Sequence, residues 1–104
     1  MGKLVHRHNE YIVIENDYKP GHHIVINTQG KYENHGHIKY LGTCKKLLNM
    51  MDRKIIPDND YLRGTVLRIS LDKDYKDKVL NKIEKDKQKP HYININKGVR
   101  RWYT

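Results

Sequence analysis

Residues 11–27 read YIVIENDYKPGHHIVIN, and this stretch decides the fold. It contains two runs rich in β-branched side chains, residues 11–15 and 22–27, and such runs are typical of β-strands. Between them, Pro20 and Gly21 favour the backbone angles of a tight turn. The stretch therefore predicts a β-hairpin.

The chain directly after the hairpin predicts a third, short strand and then a loop. Gly30 allows another tight turn, so that residues 31–33 pair briefly with the hairpin. Residues 34–37, which read NHGH, indicate a loop that leads to the first helical segment.

Two segments have the apolar spacing of amphipathic helices. In helix one, Thr43 is the expected N-cap and Pro57 ends the segment. In helix two, Ser70 or Asp72 is the expected cap and Pro90 ends the segment. The apolar residues that recur at helical spacing are Cys44, Leu47, Leu48, Met51 and Ile55 in helix one and Tyr75, Val79 and Ile83 in helix two.

Residues 65–71 and 91–96 alternate polar with apolar side chains, which predicts two more strands. The resulting order is β-β-α-β-α-β, in an α+β fold with one mixed or antiparallel sheet and two helices packed on one face. Residues 1–104 form a single domain, with residues 1–9 and 98–104 expected as flexible ends. The predicted core consists of Ile12, Ile14, Ile24, Ile26, Leu47, Leu48, Met51, Leu67, Ile69, Val79, Ile83, Ile93 and Ile95.

Composition limits the class of protein. A chain of 104 residues has room for one core, and with 37% hydrophobic and 32% charged residues that core is thin, so that a homodimer would help it. The longest apolar run is far too short to span a membrane. Cys44, the only cysteine, cannot form an internal disulfide or a multi-cysteine zinc site. We therefore expect a cytoplasmic protein with no membrane partner.

The formal net charge is +9, and most of it follows residue 60. Lysines and acids alternate through residues 72–89, which is typical of a solvated helix face. Outside that helix, five cations have no carboxylate among their sequence neighbours, and four of them are arginines, whose planar fork matches phosphate oxygens. These cations are Arg63, Arg68, Lys97, Arg100 and Arg101.

Two aromatic residues extend the basic carboxyl-terminal segment. Trp102 and Tyr103 follow the arginines directly, and cations interleaved with aromatic planes are typical of single-strand binding. The leading hypothesis is a small, basic nucleic-acid-binding accessory protein that uses these cations for phosphates and the aromatic pair for stacking. No helix-turn-helix, zinc-finger or RNA-recognition spacing occurs, so backbone contacts are favoured over base-specific contacts, and no cofactor is expected.

Six of the seven histidines lie within the first 37 residues. His35 and His37 share one face of an extended segment and are weak metal-ligand candidates, but no third ligand stands at a diagnostic spacing. The order of hairpin and helix is similar in outline to ββα-metal nucleases, although helix one offers only Asn49 as a metal-binding residue. No P-loop, nucleophile elbow or zincin motif occurs. A non-enzyme is favoured, with a histidine-dependent metal nuclease as one alternative.

A further alternative belongs to another class. A small basic domain without catalytic spacing also fits an anti-defence protein of the kind phages and mobile elements direct against their hosts. Such a protein acts as an anti-CRISPR-type inhibitor of a nucleoprotein enzyme, or as a sponge for a cyclic or small nucleotide. The sequence leaves open whether the ligand is DNA, RNA, a small nucleotide or a protein partner.

Overall fold

The computed structural model describes residues 2–88. These residues form one α+β domain, in which an antiparallel sheet with strand order β1-β2-β3-β4 precedes three helices. The strands are β1 (Leu4–His8), β2 (Tyr11–Glu15), β3 (His23–Asn27) and β4 (His35–Ile38), and the helices are α1 (Leu41–Asp52), α2 (Asp60–Ile69) and α3 (Lys73–Gln88). The α+β class and the antiparallel sheet are confirmed.

The predicted hairpin forms from β2 and β3, which pair in register from Tyr11 opposite Asn27 onward. In the turn, the Asn16 amide donates to the His22 carbonyl oxygen at 3.0 Å. Gly21 has a φ of 85°, a left-handed conformation that costs glycine little. The turn chemistry that the sequence indicated therefore closes the hairpin.

The helices cover one face of this sheet. Val13 and Val25 pair across β2 and β3 and are completely buried, because side chains alternate along a strand and this face meets the helices. All three helices contribute to the resulting cluster, which consists of Tyr11, Val13, Val25, Ile38, Cys44, Leu47, Leu48, Met51, Val66, Ile69, Tyr75 and Val79. The neighbouring isoleucines of β2 and β3 consequently point to the opposite face.

The strand predicted at residues 65–71 is wrong, because residues 65–69 belong to α2 and residues 70–71 follow its end. The Asn59 side chain accepts a hydrogen bond from the Leu62 amide and caps the helix amino end. Arg63, Val66 and Ile69 are buried at a spacing of three residues, which is a helical period. Residues 2–88 therefore have the order β-β-β-β-α-α-α, and the strand predicted at residues 91–96 lies outside the described residues.

Two other segments differ from the prediction. Residues 34–37, expected as a loop, largely form β4, while residues 31–33 lie in the turn before it. Residues 4–8, placed within a flexible end, form β1 and pair with β2. A Cβ at Gly36 would lie only 2.7 Å from Thr65 Cγ2, so a residue without a side chain lets β4 approach α2 closely. The glycine that suggested a loop serves packing.

The first and last helices agree with the prediction apart from their ends. Helix α1 buries Cys44, Leu47, Leu48 and Met51 as expected, but it ends at Asp52, so that Ile55 lies beyond it and is exposed. The helix begins with Tyr40 as N-cap, which makes no side-chain capping bond. Helix α3 is capped by Asp72, whose carboxylate accepts from the Tyr75 amide at 3.1 Å. None of the helices within residues 2–88 is long and apolar enough to cross a membrane.

Candidate nucleic-acid interface

A groove lies on the sheet face opposite the helices. Its floor contains Ile14, Ile24 and Ile26, and its volume is about 810 Å³. Consecutive hairpin turns lie at opposite ends of β3, and both contribute to the walls. We call this feature the open-face groove; its lining residues are Ile14, Asn16, Tyr18, Lys19, Ile24, Ile26, Asn27, Thr28, Gly30, Lys31, Tyr32, His35 and His37.

Strand β4 supplies two histidines to one side of the groove. His35 and His37 are two residues apart, so both side chains leave the same face of the sheet. Their ring centroids lie 5.2 Å apart in an edge-to-face arrangement. His35 Nδ1 donates to the Tyr32 carbonyl oxygen at 2.6 Å, which leaves its Nε2 for other partners.

The charge around His37 is positive. Partial burial, His35, Arg68 and Lys19 together lower the pKa of His37 below its ordinary value, because burial and nearby cations disfavour the imidazolium. None of the residues that line the open-face groove is an aspartate or a glutamate. A negatively charged ligand would thus meet Lys19 and Lys31 and no opposing carboxylate on the groove wall.

Two tyrosines of the groove are almost fully exposed. Tyr18 in the first hairpin turn is 95% exposed, and Tyr32 in the second is 90% exposed. A lone exposed aromatic is common on proteins, but these two border the same apolar floor. Each also stands beside a lysine in sequence, Lys19 and Lys31 respectively. Each turn therefore has an exposed aromatic residue and a lysine as neighbours in the chain.

A second, smaller cavity of about 440 Å³ adjoins the groove between β4 and the amino ends of α1 and α2. We call it the side cleft. It shares Asn16, Lys19 and His37 with the open-face groove, and no aspartate or glutamate lines it. Its remaining lining residues are His22, Ile38, Lys39, Tyr40, Thr43, Asn59, Tyr61 and Leu62.

The cations predicted from the sequence as phosphate ligands lie in different environments. Arg63 is only 4% exposed; its Nε donates to the Pro57 carbonyl oxygen at 2.6 Å, and its Nη1 lies 2.8 Å from Asp86 Oδ2. It is held inside the domain and lines neither the groove nor the side cleft. Arg68 is exposed and close enough to His37 to affect its pKa. Lys97, Arg100, Arg101, Trp102 and Tyr103 lie outside the described residues.

The histidine pairs do not assemble a metal centre within the described part of the chain. No group of three or more histidine, cysteine, aspartate or glutamate side chains is placed there to hold an ion. His35 and His37 face the open groove, whereas His6 and His8 belong to the helix side of β1, where His8 Nε2 lies 3.9 Å from Asp52 Oδ2. The two pairs therefore do not converge.

The sequence interpretation did not identify the tyrosines and lysines of the two turns. The sequence does contain one pattern that indicates them. Residues 18–19 read YK and residues 31–32 read KY, each within a turn next to β3. An aromatic and a lysine repeated at both ends of one strand indicate a binding edge once the hairpins are recognised.

Comparison with known proteins adds no assignment, since no family model, curated protein or solved structure matches the chain. The candidate interface rests on the geometry described above.

Proposed function

We propose that this protein binds single-stranded nucleic acid across the open-face groove. The observation that carries the proposal is the composition of the groove, in which an isoleucine floor, two exposed tyrosines, lysines and histidines occur together without a carboxylate. Tyr18 and Tyr32 stack on bases, while Lys19 and Lys31 contact the phosphates between them. Nucleic acids are negatively charged, which agrees with the protein's net charge of +9.

A single strand fits this surface better than a duplex does. In a duplex the base faces are stacked inside and proteins reach only the base edges in the grooves. In a single strand the base faces are accessible, and aromatic side chains can stack on them in a sequence-tolerant way. An apolar floor flanked by tyrosines offers surface to base faces and few groups to read base edges, so we expect little sequence preference.

The expected affinity is moderate. Each base stacked on an aromatic side chain contributes about 1–3 kcal/mol, and each phosphate contact adds a term that weakens as salt is raised. Two stacked bases and a few phosphate contacts, reduced by the entropy of ordering a flexible strand, correspond to a Kd of about micromolar order. Binding is therefore best measured at low ionic strength first.

The test is fluorescence anisotropy of labelled single-stranded DNA, single-stranded RNA and duplex DNA over a salt series. Tyr32→Ala should weaken single-strand binding by about 1–3 kcal/mol at every salt concentration. Lys31→Ala should reduce the slope of log affinity against log salt by about 0.7, the value for one phosphate on a single strand.

Lys78→Ala is the matched control, because Lys78 is an exposed lysine of α3 outside the groove. It should leave both affinity and slope close to those of the unmodified protein. The proposal fails if no strand binds at low salt, or if Lys78→Ala weakens binding as much as Lys31→Ala does.

A second candidate function is capture of a small nucleotide, and the size of the groove favours it. A volume of about 810 Å³ lies within the range of roughly 300–1,000 Å³ of small-molecule sites. The same chemistry of base and phosphate would be recognised. In a competition experiment, a free dinucleotide that displaces the labelled strand at lower concentration than an unlabelled strand of about 12 nucleotides would support capture of a small messenger.

A further inference from the structure

The open-face groove and the side cleft are parts of one continuous surface. They share Asn16, Lys19 and His37, and His37 lies at the junction between them. The Tyr61 hydroxyl donates to the His37 carbonyl oxygen and thereby attaches α2 to this strand. A ligand that reaches His37 from the groove is thus in contact with a residue that also lines the side cleft.

The side cleft contains groups that can contact a sugar–phosphate backbone. Its lysines are Lys19 and Lys39, and Lys39 Nζ lies 5.2 Å from the centroid of the exposed Tyr40 ring. The Thr43 hydroxyl and the Asn59 amide add neutral polar groups. Although apolar side chains such as Ile38 and Leu62 also line the cleft, its two lysines and its neutral polar groups suit phosphate and sugar.

A third cavity differs from the groove and the side cleft, because carboxylates do line it. It lies between α2 and α3 and is lined by Asp60, Arg63, Asp86 and Lys87, among others. Arg63 is paired there with Asp86 at 2.8 Å and with Asp60 at 3.7 Å. Cations in that cavity already have carboxylate partners, whereas no carboxylate lines the side cleft.

We propose that the side cleft holds the sugar–phosphate backbone of the same strand after it leaves the groove past His37. The ligand is then a continuous oligonucleotide that extends beyond the groove and not a mononucleotide or a dinucleotide. This inference rests on the proposed function. Strand β3, which runs beneath the groove, has five residues and at about 3.3 Å per residue is roughly 17 Å long. The groove therefore accommodates a short stretch of strand, and the cleft accommodates the continuation.

The experiment measures affinity as a function of strand length, from about 2 to about 16 nucleotides, which covers the known sizes of single-strand sites. With the unmodified protein, affinity should rise once strands are long enough to leave the groove. Lys39→Ala should remove that rise and lower the salt slope for long strands by about 0.7, without changing the binding of the shortest strands. Tyr32→Ala should weaken binding at all lengths.

Lys45→Ala is the matched control, because Lys45 is also an exposed lysine at the start of α1 but does not line the cleft. A second measurement uses amide chemical shifts of the unmodified protein, where Lys39 and Thr43 should shift with long strands and remain unchanged with dinucleotides. The inference is overturned, with the proposed function intact, if short and long strands bind equally well and Tyr32→Ala still weakens both. If no strand of any length binds, the proposed function and this inference fail together.

Discussion

Replacing Gly36 by alanine tests the packing of β4 against α2. The added Cβ would lie 2.7 Å from Thr65 Cγ2 and 3.6 Å from Ile69 Cγ2. The first distance is too short for two carbon atoms, so β4 or α2 must shift. Gly36 does not have a positive φ, so the alanine backbone itself is not strained and the steric contact is the main effect.

The expected magnitude follows from two opposing terms. Overpacking a buried contact costs about 1–3 kcal/mol. Replacing glycine within a strand recovers about 0.5–1 kcal/mol, because alanine loses less conformational freedom on folding. Gly36→Ala should therefore lower the free energy of unfolding by about 1–2 kcal/mol, measured by urea denaturation with the m-value unchanged.

A double-mutant cycle identifies the atom responsible. Thr65→Ser removes the Cγ2 methyl but retains the hydroxyl, which donates to the Tyr61 carbonyl oxygen at 3.0 Å. In the Thr65→Ser background, Gly36→Ala should be neutral or slightly stabilising, which gives a coupling energy of about 1–2 kcal/mol. Gly64→Ala is the control, since no atom lies within 4 Å of its added Cβ and alanine should stabilise α2 by about 1 kcal/mol. If Gly36→Ala is as stable as the unmodified protein in both backgrounds, the close approach of β4 and α2 is refuted.

Three further outcomes are expected. Arg63→Ala should lower the free energy of unfolding by about 1–3 kcal/mol, because it removes the buried guanidinium that bonds to Asp86 and to the Pro57 carbonyl oxygen, although Lys82 remains 3.4 Å from Asp86. The protein that remains folded should bind nucleic acid unchanged, and a matching loss of affinity would return Arg63 to the binding site. Lowering the pH from about 8 to about 5.5 should strengthen binding in anisotropy at constant ionic strength. Partial burial, His35, Arg68 and Lys19 depress the pKa of His37, and a bound phosphate raises that pKa, so binding takes up a proton; His37→Gln should flatten the dependence. Burial raises the pKa of the Cys44 thiol to about 11, so a thiol reagent at about pH 8 should react only when denaturant is added, and rapid reaction of the native protein would contradict its buried position.

The elements predicted correctly are those whose local signals agree with one another. The β2–β3 hairpin has β-branched strands and a Pro-Gly turn, and α3 has Asp72 at its start and Tyr75 and Val79 on its buried face. Local sequence dictates both elements because capping, turn chemistry and apolar spacing coincide there. No knowledge of the tertiary structure was needed for either.

Helix α2 shows where this reasoning fails. Residues 65–71 alternate in polarity like a strand, yet Thr65, Val66 and Ile69 are all buried in a helix. The same residues satisfy both periods over such a short span. The Asn59 cap and the approach of α2 to Gly36 of β4, a contact between distant parts of the chain, both favour the helix.

The sequence did not predict which face of the sheet is buried, because its polarity pattern is ambiguous there as well. Isoleucines alternate with valines in β2 and β3, so both faces of the hairpin are apolar and periodicity alone cannot tell which one the helices cover. The four isoleucines of β2 and β3 that were predicted for the core all lie on the open face, where Ile14 is buried and Ile12, Ile24 and Ile26 are only partly buried. The β-branched residues correctly predicted the two strands, whereas packing against the helices determines which face of the sheet is buried.

The candidate site was not apparent from charge alone, because residues that are distant in sequence can neutralise one another in the fold. Counting cations without neighbouring carboxylates selected Arg63, but folding brings Asp86 to 2.8 Å from it across 23 residues of chain. Lys19 and Lys31 have acids close in sequence, Asp17 and Glu33, yet those acids do not line the groove. Local neutralisation in sequence and neutralisation in space are therefore different quantities, and only the second determines where an anion binds. A second apolar sheet face without a covering helix in residues 2–88 is the feature that should direct attention to the turns at its ends, because a ligand rich in rings and phosphates can use both.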